Sequence, residues 1–176
     1  MDDLRKDMQM YHIIILGVII MTIQEDTIVQ PIPTDVLIAK KEDVWRIKLP
    51  MDFKEFIVTN NGGIPNEKSF HCNERNYSIT RFLCILEDVK ENPNGWYDIS
   101  VVESIIGERL TDNEDLIGVE VLPVAELFAK DYVCLDYREN KENPFICLWS
   151  DSESGDFDPV TYKVADTFSE FIAMLK

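Results

Sequence analysis

Cysteine and histidine supply the side chains in this sequence that are best suited to metal binding or nucleophilic catalysis. They are Cys72, Cys84, Cys134, Cys147, His12 and His71. A zinc site needs closely spaced ligands, and the chain contains no CxxC pair, so the spacing predicts no metal site and no cofactor. His71 and Cys72 could form a thiol nucleophile with Asp136 or Asp151, but nothing local would activate the thiol. Because the cysteines lie in apolar runs, we expect buried structural thiols and assign no catalytic residue.

Acidic side chains are concentrated in residues 151–158. They are Asp151, Glu153, Asp156 and Asp158. The segment is not a calcium-binding loop, because its glycine is out of register and no glutamate follows at the required offset. Two interpretations stay open at this point: a solvated acidic loop, and a surface that faces a basic partner.

The whole chain is acidic as well. It has 176 residues, 33 Asp and Glu against 17 Lys and Arg, and a net charge of −16. Such a charge repels phosphate backbones and argues against direct binding of DNA or RNA, whereas it attracts a basic protein. A glycine-rich phosphate loop is also missing, since the glycines of residues 61–65 follow a helical pattern rather than opening one.

The apolar run of residues 11–23 has some character of a membrane span or a signal sequence. Spanning a bilayer needs about 20 apolar residues, and a signal peptide begins with a basic region, which is absent here. The codons for residues 16–21 can contain a purine-rich ribosome-binding sequence just before an ATG for Met21. Our hypothesis is that translation starts at Met21 and that residues 1–20 are an upstream extension, with export or anchoring as the alternative. We expect a cytoplasmic protein without membrane association.

Apolar spacing and turn-forming residues predict the secondary structure. Helices are predicted over residues 34–48, 50–60, 96–110 and 167–175. Thr34 or Asp35 should cap the first, residues 60–63 should end the second in a left-handed turn, and Thr167 with Glu170 should form a capping box at the last. The apolar stripe of the last helix should cover the sheet. Strands are predicted twice within residues 68–86, around a turn at 73–76, and then over 116–122, 132–137, 144–149 and 160–164. Residues 111–115 read as a polar, acidic loop, and residues 21–33 as a flexible lead-in. Helices near both ends and strands in runs favour a single α+β domain over residues 34–176, with a mainly antiparallel sheet.

Three groups of sequence strings occur in an order that is typical of one superfamily. They are LPMDFKEF (49–56) with NGGIP (61–65); IGVEVLP (117–123), DYVCLD (131–136) and FICLW (145–149); and VADTFSEF (164–171). Together they resemble the SUKH superfamily, which includes the yeast cell-wall-assembly and killer-toxin-resistance regulator domain. One departure is that Ala129-Lys130 replaces the glycine pair that often precedes the aspartate-ending strand.

The resemblance implies a SUKH-like α+β domain without catalytic activity. For bacterial members it implies an immunity protein that neutralises a cognate polymorphic toxin, often a nuclease, in the cytosol. A non-catalytic interaction module in a regulatory or cell-envelope assembly, as for the yeast relative, is the alternative.

An acidic surface suits an inhibitor of a basic nuclease, and this context favours the second interpretation of residues 151–158. Asp136 and Trp149 are at strand ends, and we expect them to border the same cleft as Asn61, with the tryptophan as an aromatic anchor. The predicted partner-binding residues are therefore Asn61, Asp136, Trp149, Asp151, Glu153, Asp156 and Asp158. The alternative for Trp149 is that it only caps the core.

Overall fold

The computed structural model of the protein describes residues 22–176. Its helices are α1 (Asp35–Trp45), α2 (Met51–Asn60), α3 (Ile99–Ile106) and α4 (Phe168–Met174). Its strands are β1 (Ser69–Cys72), β2 (Arg75–Phe82), β3 (Val121–Leu127), β4 (Tyr132–Asp136), β5 (Phe145–Trp149) and β6 (Thr161–Ala165). The predicted start at Met21 and most of the apolar run before it lie outside the described residues.

The six strands form one antiparallel sheet in the order β1-β2-β3-β4-β5-β6, so each strand pairs with its neighbour along the chain. The thiol of Cys72 on β1 lies 3.8 Å from the carbonyl oxygen of Lys163 on β6, because the sheet curls until its outer strands approach each other. This arrangement confirms the predicted α+β fold.

Aromatic side chains join the helices to the sheet. The rings of Phe53 on α2 and Phe168 on α4 have centroids 5.0 Å apart, and Phe56 lies 4.8 Å from Phe82 on β2. Phe171 on α4 makes an edge-on contact with Phe70 on β1 at 5.2 Å. These rings form much of the hydrophobic core, so the stripe predicted on the last helix does cover the sheet.

The helix ends follow the predicted signals. Thr34 caps α1 by accepting a hydrogen bond from the Leu37 N–H at 3.2 Å. At α4 the Thr167 hydroxyl accepts from the Glu170 N–H at 3.1 Å, and the Glu170 carboxylate accepts from the N–H of Asp166 at 3.0 Å. These three N–H groups would otherwise have no partner at a helix start, so the caps fix where the helices begin.

Strand β3 differs most from its predicted position. It was expected over residues 116–122, whereas the structure has it at Val121–Leu127, with a register shift between Pro123 and Ala125. A proline has no N–H to donate, and a bulge accommodates it within the strand. Residues 116–120 stay outside the sheet because Gly118, with φ of 91°, packs against the carbonyl oxygen of Trp45.

Residues 22–33, expected to be a flexible lead-in, pack onto the domain. Ile23 pairs with Pro65, and the N–H of Val29 donates to the Asn61 carbonyl at 3.2 Å. The side chain of Val29 is fully buried. The partners lie more than 30 residues away in the sequence, so no local pattern indicates this packing.

Candidate functional site

The acidic loop, residues 151–158, connects β5 to β6 and is held in place by Arg109. The guanidinium of Arg109 donates to the Asp151 carboxylate at 2.6 Å and to the carbonyl oxygens of Asp151 at 2.5 Å and Ser154 at 2.7 Å. The N–H of Asp151 also donates to the carboxylate of Asp131 at 2.8 Å. The arginine guanidinium has five N–H donors in a planar arrangement, so this one side chain binds both Asp151 and Ser154, which begin and end the first turn of the loop.

The tip of the acidic loop is a tight turn that presents two exposed carboxylates. Gly155 and Asp158 exchange backbone hydrogen bonds at 3.0 and 3.2 Å, and the Phe157 N–H donates to the Glu108 carbonyl at 2.7 Å. Asp156 and Asp158 are exposed, and neither forms an ion pair within residues 22–176. A fixed backbone therefore holds two free negative charges at the surface.

Glu153 lies in the same loop but has partners. Its carboxylate accepts a hydrogen bond from the Tyr162 hydroxyl and lies 3.9 Å from the Arg75 guanidinium. This hydrogen bond is the largest cause of the raised pKa of Tyr162. Glu153 is exposed, so it contributes negative charge to the loop while also linking it to β6.

Trp149 at the end of β5 is completely buried. Its indole N–H donates to the Arg109 carbonyl at 2.8 Å, and the Arg109 guanidinium lies over the indole at 5.2 Å from the ring centroid. Trp149 therefore orients Arg109, which in turn holds the acidic loop. The structure favours the alternative stated for this residue, a role in the core.

Asp136 at the end of β4 is also completely buried. Its carboxylate accepts from the Arg138 side chain at 2.5 and 3.0 Å and from the Arg138 N–H at 3.0 Å. Arg138 donates in turn to the Thr161 hydroxyl at 2.6 Å. Arg138 thereby links β4 to β6 across β5. Its hydrogen bonds also stabilise the Asp136 carboxylate, which would be costly to bury without partners.

Asn61 ends α2 in the left-handed conformation, as predicted for the turn at residues 60–63, but its side chain points inward. The amide donates to the carbonyl oxygens of Val29 at 3.0 Å and Pro31 at 2.9 Å and accepts from the Ile85 N–H at 2.9 Å. One amide thus joins the packed segment 22–33 to the residues that follow β2.

Burial removes three predicted residues from the candidate surface. Asn61, Asp136 and Trp149 were expected to border a cleft, yet none has exposed surface for a partner to contact. The prediction assumed that residues at strand ends border an open cleft. In this domain Arg138 covers the end of β4 and Arg109 covers the end of β5. The four acidic residues of the loop remain at the surface or close to it.

A cavity next to the acidic loop was missed by the sequence reasoning. It has a volume of about 220 Å³ and lies between α3 and residues 110–121. Four glutamates are among its lining residues, Glu103, Glu108, Glu114 and Glu120. Phe157 of the acidic loop also lines it, so loop and cavity are contiguous. The acidic character of residues 111–115 was a partial signal, but Glu103 comes from a helix that the sequence presents only as amphipathic.

Glu103 is a glutamate of this cavity whose pKa is shifted. Burial raises the pKa of its carboxyl group above the ordinary value. Glu120 has a partner, because the Lys141 ammonium lies 2.5 Å from its carboxylate. Within residues 22–176, no ion pair involves Glu103, Glu108 or Glu114.

Comparison with known proteins places this fold in a family. A family model described as SUKH_6, SMI1-KNR4 cell-wall, matches residues 35–172. The chain belongs to the SUKH family. The matched part of this SUKH domain runs from α1 into α4 and includes the acidic loop and the cavity. No curated protein and no solved structure matches the chain.

The cysteines of the SUKH domain are free thiols, and all four are buried. Burial, with a contribution from Asp98, raises the pKa of Cys84 to about 12. Cys134 and Cys147 face each other on β4 and β5, and their mutual hydrogen bond together with burial raises the pKa of Cys147 well above its ordinary value. The predicted burial of the four thiols is confirmed.

The described part of the SUKH domain has neither a cluster of metal-ligating side chains nor a helix able to cross a membrane. Residues 22–176 contain no group of three or more His, Cys, Asp or Glu side chains arranged to hold a metal ion. No helix among these residues combines the length and the apolar character that crossing a bilayer requires.

Proposed function

We propose that this SUKH domain is an immunity protein that binds a cognate bacterial polymorphic toxin, a basic nuclease domain, and neutralises it in the cytoplasm. The partner surface is the acidic loop, with Asp156 and Asp158 as its exposed charges. The domain acts by stoichiometric binding, without catalysis, a cofactor, membrane contact or direct binding of nucleic acid.

The observation that supports this proposal most is the fixed geometry of the acidic loop. Arg109 anchors its start and the turn at residues 155–158 closes its tip, so the backbone that carries the two free carboxylates does not need to be ordered on binding. Preorganisation lowers the entropic cost of association. The net charge of −16 adds long-range attraction toward a basic protein and raises the association rate.

A nuclease suits such a surface because its active site must attract phosphates and is therefore positively charged. Carboxylates presented on a rigid turn can occupy the positions where phosphate groups would bind. Membership of the SUKH family supports an immunity or interaction role in general, and the choice of a nuclease as target is our proposal.

A rescue assay tests the proposal directly. The full chain is co-expressed with the C-terminal domain of a large secreted toxin-like protein encoded beside its gene. Survival, together with a complex that co-purifies, is the expected result. Continued killing in the presence of folded protein contradicts this pairing, and an unbiased pull-down from the source cells then identifies the partner that the domain does bind.

Charge reversal tests the acidic surface itself. Asp156→Lys with Asp158→Lys should weaken toxin binding strongly, and most at low salt, because the two charges have no structural partners. Glu139→Lys with Glu142→Lys is the matched control, since it makes the same charge change at the opposite end of β5 on exposed residues. Equal effects of the two pairs would mean that only net charge matters and would contradict a specific acidic surface.

The alternative is a non-catalytic interaction module in a regulatory or cell-envelope assembly. The description of the matching family, which refers to the cell wall, is the observation that favours it. The two functions differ in what the pull-down recovers: a toxin domain whose activity the protein blocks, or envelope components whose activity it leaves unchanged.

A further inference from the structure

We infer that the cavity between α3 and residues 110–121 receives one lysine or arginine side chain of the protein partner, with the cation on its carboxylates and the aliphatic stem on its apolar rim. This inference deepens the proposed function, because it rests on the partner being basic and names the group that is recognised.

The size of the cavity suits a single side chain. Its volume of about 220 Å³ is below the roughly 300–1,000 Å³ that is typical of small-molecule sites. Leu110, Leu116 and Val121 contribute apolar surface to its walls. The cavity is not enclosed, so a residue projecting from another protein can enter it.

The charges of the cavity favour a cation. Three of its glutamates, Glu103, Glu108 and Glu114, have no ion-pair partner within residues 22–176. Burial also raises the pKa of Glu103. A guanidinium or ammonium ion placed beside its carboxylate would offset the loss of hydration, and partial desolvation would strengthen the attraction.

The cavity offers apolar surface for the stem of such a side chain. Leu116 and Phe157 are apolar lining residues that are partly exposed. Lysine and arginine bury their methylene groups on apolar surface while the charged group stays solvated or paired.

The cavity is also continuous with the acidic loop. Phe157 lines its wall, and the Phe157 N–H donates to the carbonyl of Glu108, another lining residue. A basic partner that contacts Asp156 and Asp158 would therefore lie beside the cavity opening, where a neighbouring lysine or arginine can enter.

A titration with n-butylguanidinium tests this inference without a toxin. The ¹⁵N-labelled full chain is titrated while the amide signals of Gly107, Thr111 and Gly118 are followed, with neutral n-butylurea as the matched ligand. We expect saturable shifts at these amides for the cation only. Shifts that never saturate, or equal shifts with n-butylurea, would overturn the inference.

Variants locate the binding. Glu103→Gln should weaken n-butylguanidinium binding by about tenfold or more, because a hydrogen bond to a charged group is lost. Glu55→Gln makes the same charge change on an exposed residue of α2 that does not line the cavity, and it should leave that affinity unchanged. Equal weakening by both variants would show general screening and overturn the inference. Glu114→Gln, on an exposed loop, provides a second test if the α3 variant folds poorly.

The outcomes separate this inference from the proposed function. If the cation does not bind but the Asp156 and Asp158 reversals still abolish neutralisation of a toxin, the cavity inference is wrong and the immunity function stands. If the cation binds saturably but the recovered partner is not a toxin, the immunity function is wrong and the cavity stands.

Discussion

Glu42 shows at the level of one residue how this acidic chain uses its carboxylates structurally. It is buried at the end of α1, where it accepts from the Leu49 N–H at 2.8 Å and pairs with Lys54 at 2.6 Å and Lys48 at 3.1 Å. Burial alone would raise the pKa of Glu42, but the hydrogen bonds from these groups outweigh it and hold the pKa below its ordinary value. One carboxylate thereby fixes the connection from α1 to α2.

Glu42→Gln should lower the free energy of unfolding at pH 7 by about 1–3 kcal/mol, because hydrogen bonds to a charged group are lost. A carboxyl group with a lowered pKa contributes stability above its unfolded pKa of about 4.3, and this contribution is lost as the pH falls through the folded pKa. The difference between wild type and variant should therefore shrink below pH of about 4. Denaturant unfolding across this pH range measures it, and a difference that grows toward acid would contradict the assignment.

Ala129 and Lys130 adopt the left-handed conformation, with φ of 73° and 68°. Such a conformation costs a non-glycine residue about 1–2 kcal/mol, and the greater freedom of glycine in the unfolded chain offsets part of this. We therefore expect Ala129→Gly to raise the free energy of unfolding by about 0.5–1 kcal/mol.

Thermal unfolding checks this expectation. Ala173→Gly, at an exposed position of helix α4, is the matched control and should destabilise by about 0.5–1 kcal/mol, since the same substitution in a helix only adds freedom to the unfolded chain. Destabilisation by both substitutions would show that the backbone at residue 129 is not strained.

At the level of elements, the acidic loop depends on a residue outside it. Arg109, in the turn that follows α3, supplies hydrogen bonds to Asp151 and Ser154 and packs on Trp149. Arg109→Met removes these bonds and makes the protein more negative by one unit. If electrostatic attraction alone determined affinity, this variant would bind a basic partner more tightly. Because the acidic loop loses its order, we expect the variant to bind more weakly.

Hydrogen exchange at the Asp151 and Val160 amides reports the loop directly, and protection there should fall in Arg109→Met. Lys163→Met, which removes one positive charge from an exposed side chain on β6, is the matched control and should leave loop protection and partner binding nearly unchanged. Unaltered exchange in the arginine variant would contradict the anchoring role.

The sequence predicted the elements well wherever the signal was local. The caps at Thr34 and Thr167 and the turn after α2 are short-range hydrogen-bonding patterns, and each was confirmed. The position of β3 was wrong because its bulge at Pro123 and the packing of Gly118 on Trp45 depend on partners far along the chain.

The site was harder to predict for the same reason. Trp149 ends a strand, and the sequence does not show that Arg109, 40 residues earlier, covers it. Arg138 is close to Asp136 in the sequence, but its second partner, Thr161, lies 23 residues further on. The acidic loop was visible as a run of charges, whereas the cavity combines Glu103 with residues after position 107 and exists only once α3 packs beside β3.

For the whole molecule, the charge of −16 implies self-repulsion in the compact state. Raising NaCl from about 0.02 M to about 0.3 M weakens the repulsion between distant charges more than it weakens the attraction within close ion pairs. We expect the free energy of unfolding to rise by about 1 kcal/mol, which corresponds to about 2–4 °C in melting temperature for a chain of this length. Calorimetry at the two salt concentrations measures this, and a fall in melting temperature would mean that the ion pairs dominate.

Because its thiols are buried, the protein can report its own opening through their reaction with an alkylating reagent. An alkylating reagent reaches Cys84, Cys134 or Cys147 only when the strands or residues around them separate, so their rate of labelling counts opening events under native conditions. Cys72 lies on the outer strand β1, which approaches the other outer strand, β6. Its labelling therefore reports separation of β1 from β6. Four natural labels thus distinguish fraying of the sheet from unfolding of its centre without a single added probe.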